Sequence, residues 1–450
     1  MADEGRNGDG ATVAVRSLSN HKRRIIEAGV SSDGGVDSVS SLPDVILQHI
    51  LSTLPTRFAI RTSVLSKRWR HVWSDTPSLS FDKYILNADS IHKTLARYTV
   101  PKMTSFHLCI SKVENTPYMD RWIKFAISRN VENLSLDVRI SFMTLSCCSL
   151  SWTSLKRLSL RCCNLTDESI ATILSGCPVL ESLALYFFDK LMVLDLSKSV
   201  RLRRLEVDSN VWVPGPHQIR EPQNHWYRTK IVAPHIRYLR LTCYQSPCVL
   251  VDVSSLTEAK LDNGVCSLDK LRSGFLHGMV INMLMDFQNV EKLTFGANFL
   301  KILSLCEVSR RPFPMFKVKD LTFQTMISQY VTPGIVRVLQ NSPELKKLTL
   351  HTMDYGTIPE ELLDKYLDFH GFNPSQCWST KARDSDNIFS WNREPKHMAS
   401  FLELMLKTTK KLEKMVVKLE GHLQGRDFEE LLKMVPKLSH DNNNVSIALS

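Results

Sequence analysis

Two adjacent thiol pairs, Cys147-Cys148 and Cys162-Cys163, are the residues of this sequence best equipped for chemistry. Four thiolates are enough for a tetrahedral zinc site. Neighbouring residues in a strand point to opposite faces, however, so adjacent cysteines cannot both ligate one ion easily. No metal is expected. The eleven cysteines include no C-x-x-C pair, and the fourteen histidines form no evident cluster. G-x-x-x-x-G-K-S/T, H-E-x-x-H and G-x-S-x-G do not occur, nor does G-x-G-x-x-G after a strand, so neither catalytic residues nor a cofactor are expected.

The charge and apolar content fit this picture. The chain of 450 residues has room for several domains, and its 43% hydrophobic content is ordinary for a globular protein. No run of eighteen apolar residues is present, so no membrane partner is expected. The first residues lack the apolar stretch of a secretory signal. An odd cysteine count without such a signal predicts reduced thiols, in the cytoplasm, the nucleus or both. His21-Lys22-Arg23-Arg24 would be a weak nuclear-import signal. The formal charge of +11 is scattered along the chain, so no specific nucleic-acid partner is expected, although Lys67-Arg68-Trp69-Arg70 has the look of a recognition helix.

The elements that position these residues begin with "SLPDVILQHILSTLPTRFAIRTSVLSKRWRHVW", Ser41 to Trp73. Leu42-Pro43 starts a helix carrying Ile46, Leu47, Ile50, Leu51 and Leu54 at helical spacing, which Pro55 ends. Thr56 is placed to cap a second helix and Ser66 a third, with Trp69, Val72 and Trp73 on one face. Three helices of two turns cannot bury so many large apolar side chains among themselves. Surface left over on this scale marks an interaction site.

The order Leu-Pro-Asp-x-Ile-Leu, then Leu-Pro-Thr, then Thr-Ser-Val-Leu-Ser-Lys-Arg-Trp-Arg resembles the F-box of plant-type F-box proteins. The resemblance implies that a Skp-type adaptor covers the apolar surface and links the chain to a cullin–RING ubiquitin ligase. Matched to the family's adaptor-facing positions are Leu42, Pro43, Ile46, Ile50, Leu51, Pro55, Val64, Leu65, Trp69 and Trp73, some of which would instead be internal core.

Behind this segment the template apolar-x-x-apolar-x-apolar recurs. It begins at Met103, Val131, Leu155, Leu180, Leu202, Ile236, Leu256, Val290, Val318 and Leu345. An extra copy at Leu191 sits close to its predecessor and fits the opposite side of the same repeat. Strand, turn, helix and return at this period read as a leucine-rich-repeat solenoid, an α/β fold. Ten strands would span an arc of roughly 50 Å. The polar positions between the apolar ones form the recognition face: Ser135, Asp137, Ser159, Arg161, Ala184, Tyr186, Glu206, Asp208, Arg240 and Thr242. Two intervals stretch. The first, Ser209 to Pro234, reads as a loop carrying Trp212, Arg220, Trp226, Tyr227 and Arg228, residue types that dominate binding hot spots.

Five regions follow. Residues 1–36 form a disordered tail, 37–80 the F-box, 81–352 the repeats and 353–392 an irregular linker. Residues 393–450 make a small α+β module resembling the FBD module behind many plant F-box proteins, expected to cap the solenoid. The resemblance implies a non-catalytic subunit that recruits an unknown protein substrate to the ligase. A repeat protein that binds partners without ubiquitination, its F-box serving as a docking patch, remains the alternative.

Overall fold

The computed structural model describes residues 39, 41–82, 88–139, 143–144, 151–188, 190–209, 229–243, 248–263, 275–308, 310–353, 358–374, 378, 394–419, 425–441 and 445–449. Met1–Leu47 and Gln48–Ser450 form separate units. The expected tail, Cys147-Cys148 and the loop residues Trp212, Arg220, Trp226, Tyr227 and Arg228 lie outside the described residues.

The described residues build a parallel sheet of thirteen strands, each hydrogen-bonded to the next in chain order apart from short strands that leave for two smaller sheets. The ten template copies supply ten of the thirteen, from Ser105–Ile110 to Lys347–His351. Side chains alternate across a strand, so each one sends two apolar residues inward. Leu158, Leu183, Leu205 and Leu239 stand in register, as do Leu160, Leu185, Val207 and Leu241. All eight are buried. Where the sheet accepts larger groups, Phe81 meets Phe106 edge-on at 5.8 Å and Phe295 stacks on Phe323 at 6.4 Å.

The extra copy at Leu191 leaves the main sheet as expected. Its strand Val193–Asp195 pairs with Thr229–Val232, which pairs with Cys248–Asp252. The end of the stretch read as a loop is therefore a strand. It is anchored by the buried Thr229 hydroxyl, which donates to the Leu191 carbonyl at 2.9 Å. Between strands, Asp167–Ser175 is helical because Thr166 and Ser169 cap each other: each side-chain oxygen accepts the other's backbone N–H, at 3.2 and 2.9 Å.

Three parts of the sheet lie outside the expected repeats. Ser78–Phe81 forms its first strand. Lys414–Lys418 and Ser446–Leu449 form its last two. The closing segment thus continues the same ladder rather than packing as a separate layer over its end. Its helix Pro395–Thr408 buries Met398, Phe401, Leu402, Met405 and Leu406, the stripe read from the sequence. The expected linker, 353–392, contains the helix Glu360–Phe369 with Leu363, Tyr366 and Leu367 buried. Polar contacts fix this helix. Tyr330 and Trp378 both donate to Asp364, at 3.0 and 2.9 Å, and the buried Lys301 ammonium donates to the Ile358 carbonyl at 2.8 Å.

The front segment forms helices Asp44–Ser52, Thr56–Arg61 and Trp69–Val72, with 3-10 turns at Thr62–Val64 and Trp73–Asp75. Ser66 accepts the Trp69 N–H at 3.4 Å, as a cap would. Thr56 does something else. Pro55 occupies the N-cap position, and the buried Thr56 hydroxyl accepts the Ser80 N–H at 2.7 Å. Among the described residues Ser78–Phe81 has a strand neighbour on one side only, so this bond satisfies a backbone donor the ladder leaves unused. Tyr98 donates to the Thr76 carbonyl at 2.8 Å and the Thr99 N–H to the Ser74 carbonyl at 3.2 Å, tying the same joint from the other side.

Two predictions follow from this packing. Thr56→Val keeps the shape but orphans the Ser80 N–H, and should lower stability by about 1–3 kcal/mol in chemical denaturation, whereas Thr56→Ser should not. At Gly296 an added Cβ would lie 2.1 Å from Asp262 Cγ, while at Gly278 it would meet nothing within 4 Å. Gly296→Ala should cost about 1–3 kcal/mol, and Gly278→Ala, in an exposed helical position, should raise stability by about 0.5–1 kcal/mol. Equal denaturation midpoints for the two glycine variants would contradict the packing.

Candidate functional site

Two surfaces carry the residues singled out in the sequence. The first is the front segment. Leu51, Trp69 and Trp73 are buried, at 2%, 5% and 5% exposure. They belong to the interior of the segment, as the sequence allowed for some of the matched positions. Leu42 and Pro55 are half-buried and Pro43 is exposed. The large apolar residues facing water are Ile46 at 45%, Ile50 at 42%, Val64 at 87% and Leu65 at 65%. Val45, Leu54 and Phe58 are also exposed and are not among the matched adaptor-facing positions. Their signal was present in the sequence: Leu54 and Phe58 flank Pro55, and Val45 adjoins Ile46. Lys67, Arg68 and Arg70 point to solvent, while the tryptophan between them turns inward, so the run does not present one basic face.

Val64 and Leu65 owe their exposure to local geometry. The chain leaves the helix Thr56–Arg61 through a single 3-10 turn, Thr62–Val64, closed by the Leu65 N–H on the Thr62 carbonyl at 2.9 Å. So short a turn cannot fold two consecutive side chains back onto the segment. Ala59, on the preceding turn, fills the interior instead.

The second surface is the polar face of the main sheet. The ten recognition-face residues stand in two registered rows: Ser135, Ser159, Ala184, Glu206 and Arg240 in one, Asp137, Arg161, Tyr186, Asp208 and Thr242 in the other. Lys260 and Asp262 extend these rows by one strand. The copy at Leu256 held Lys260 in the same place as Arg240, so the signal for it was available.

Glu206 organises the middle of this face. Its carboxylate accepts from the Tyr186 hydroxyl at 2.6 Å and from Arg204 Nε and Nη2 at 2.9 and 2.7 Å, with Arg240 Nη1 at 3.5 Å. Burial pushes this carboxyl upward. The Tyr186 and Arg204 hydrogen bonds, with the charges of Arg204 and Arg240, outweigh it and hold the group below its usual range. Burial, then the bond to Glu206, raises the Tyr186 phenol. Arg204 stacks on Tyr238 at 3.7 Å, and Arg161 lies over Tyr186 at 4.6 Å. One strand further on, burial and then the Arg240 charge hold the Lys260 ammonium below its ordinary value. Burial raises the Asp262 carboxyl, although it accepts backbone N–H groups of Asn263 at 2.8 Å and Phe299 at 3.4 Å.

Such a face supports recognition by charge and aromatic contact. Among the described residues no group of three or more His, Cys, Asp and Glu side chains is arranged to hold a metal. Cys162 and Cys163 are buried thiols, and Cys163 Sγ donates to the Arg161 carbonyl at 3.4 Å. Burial raises the Cys162 thiol to about 11, a poor nucleophile at neutral pH. No described helix is long and apolar enough to cross a membrane.

Residues 39–81 match the F-box domain, and residues 154–178 match the Leucine Rich Repeat. F-box/LRR-repeat proteins of Arabidopsis thaliana are similar over nearly the whole length. One is 50% identical across 98% of this chain and 98% of its own. A second is 50% identical across 92% and 91%, and a third 47% identical across 92% and 95%. With helical segments that hold exposed apolar residues ahead of a registered parallel ladder, and with this likeness running end to end, the chain belongs to the F-box/LRR-repeat proteins.

Proposed function

We propose that this protein is the substrate-recruiting subunit of a Skp–cullin–F-box ubiquitin ligase. It binds a Skp-type adaptor through the front segment and a target protein through the polar face of the sheet. One observation carries the reading: Val64 and Leu65, consecutive large aliphatic residues, stand 87% and 65% exposed on a segment that matches the F-box domain. Consecutive aliphatic residues held out in water lose the favourable free energy of burial that a protein partner restores. Ile50, 42% exposed, adds to the apolar surface that such a partner would cover.

The chain supplies no chemistry in this role. The adaptor end fixes the protein to the ligase, and the sheet holds a target lysine near the charged carrier enzyme, raising its effective concentration. Leu51, Trp69 and Trp73 act indirectly, by holding the helices that display the contact residues.

Val64→Asp together with Leu65→Asp tests this reading, because neither residue supports the interior. Each fully buried aliphatic side chain contributes roughly 1.5–3 kcal/mol, so the pair should weaken binding to a co-expressed Skp-type adaptor at least about 100-fold. The thermal midpoint of the chain alone should not change. Undiminished co-purification of the double variant with the adaptor would refute the proposed interface. Leu51→Asp should instead unfold the front segment.

A further inference from the structure

Arg240 and Lys260 occupy registered positions on paired strands, in the row of the sheet that faces away from the core. Adjacent strands lie 4.7–4.9 Å apart, and like charges directly opposite one another are destabilising. Repulsion of this kind is normally relieved by an acid between the two cations. Two acids are near enough to act on Lys260, Glu206 and Asp262. Glu206 is already taken up by Tyr186 and by Nε and Nη2 of Arg204, and reaches Arg240 only at 3.5 Å. Asp262 is held by backbone N–H groups and crowded against Gly296. On its other side Lys260 is registered with Thr294, which is neutral. The half-buried Lys260 ammonium makes no hydrogen bond and no ion pair among the described residues.

We propose that Arg240 and Lys260 form an anion fork that binds an acidic side chain of the recruited protein. The fork presents a guanidinium beside an ammonium, and a carboxylate or a phosphate bridging them would relieve their repulsion. Tyr186 and Tyr238, flanking in the rows on either side, offer aromatic surface to the residues around the anion. Arg161, over Tyr186, adds a third cation toward the preceding strands. The occupant that fits is therefore a peptide segment with one anionic residue beside apolar or aromatic ones. This inference rests on the sheet face being the recruiting surface and names the chemistry that face selects.

The probe is a set of immobilised peptide pools with randomised flanks and a fixed central residue: Glu, phosphoserine, Ser or Lys. The full-length protein should be captured by the Glu or the phosphoserine pool at least about 10-fold better than by the Ser pool, and not by the Lys pool. The stronger of the two anionic pools identifies carboxylate or phosphate as the natural group. Lys260→Ala and Arg240→Ala should each abolish the preference, and Lys260→Arg should keep it. Equal capture by all four pools, or a preference that survives both alanine variants, overturns the fork. Co-purification with a Skp-type adaptor is measured on the same samples. If it persists without anion preference, the fork alone fails. If the wild-type chain shows the preference but no adaptor binding, the ligase role fails and the fork stands.

Discussion

Main-sheet strands pair with their successors in parallel and without a register shift, so two inward side chains per strand meet the same two positions of the next. That repetition governs the rest of the molecule. A slip of one residue would turn every apolar side chain to solvent and every polar one into the core. Leu183 and Leu185, or Leu239 and Leu241, are therefore register marks as much as core residues. They make the outer rows as regular as the inner ones, and the outer rows are where a partner is met.

Where the chain enters the strands, charges of opposite sign stand on neighbouring strands. Lys102 and Lys156 both reach Glu132, at 2.9 and 3.1 Å, and Lys319 reaches Glu291 at 2.8 Å across a strand interval. Lys347 meets Asp320, and Lys346 meets Glu413, each at 2.8 Å. Several of these groups are well exposed, so each pair adds little stability. Their collective effect is to make the correct strand order the one in which opposite charges face each other. Lys347 also faces Lys414, but Asp320 pairs with Lys347 at 2.8 Å, whereas Lys260, facing Arg240, has no such ion pair among the described residues.

The strands were legible because the template needs only short-range information: apolar, two residues, apolar, one residue, apolar. The first strand escaped because Leu79 and Phe81 alternate without the leading apolar residue of the template. The helix Glu360–Phe369 escaped because the turn-rich segment behind it coloured the reading of its own Leu363, Tyr366 and Leu367. In the front segment the sequence could say that too much apolar surface was present, but not which half would be inside. Helical periodicity gives a face, whereas assigning Leu51 and Trp69 to the interior and Val64 to water needs the angle between helices. Glu206 was identified as a surface position. Its grip on Tyr186 was not, because that contact crosses strands between residues twenty apart, and its grip on Arg204 depends on how a side chain two residues back on the same strand turns.

The joint between the two surfaces shows why an F-box segment and a repeat sheet can act as one object. An edge strand presents unpaired backbone donors, which proteins usually cover with a helix or a charge. Here the covering element is the helix that begins at Thr56, so the bond that protects the sheet edge also fastens the helix beside it. Ser74, in the last turn of the front segment, and Thr76, just past it, are held in turn by Thr99 and Tyr98. A hinge would require these buried polar groups to exchange partners without water at hand, which is costly when any one of them is left unmatched. A subunit whose proposed task is to hold a target at a set distance from a carrier enzyme gains directly from a joint of this kind. Effective concentration depends on the spread of positions a linkage permits, and short hydrogen bonds between buried groups narrow that spread far more than a loop would.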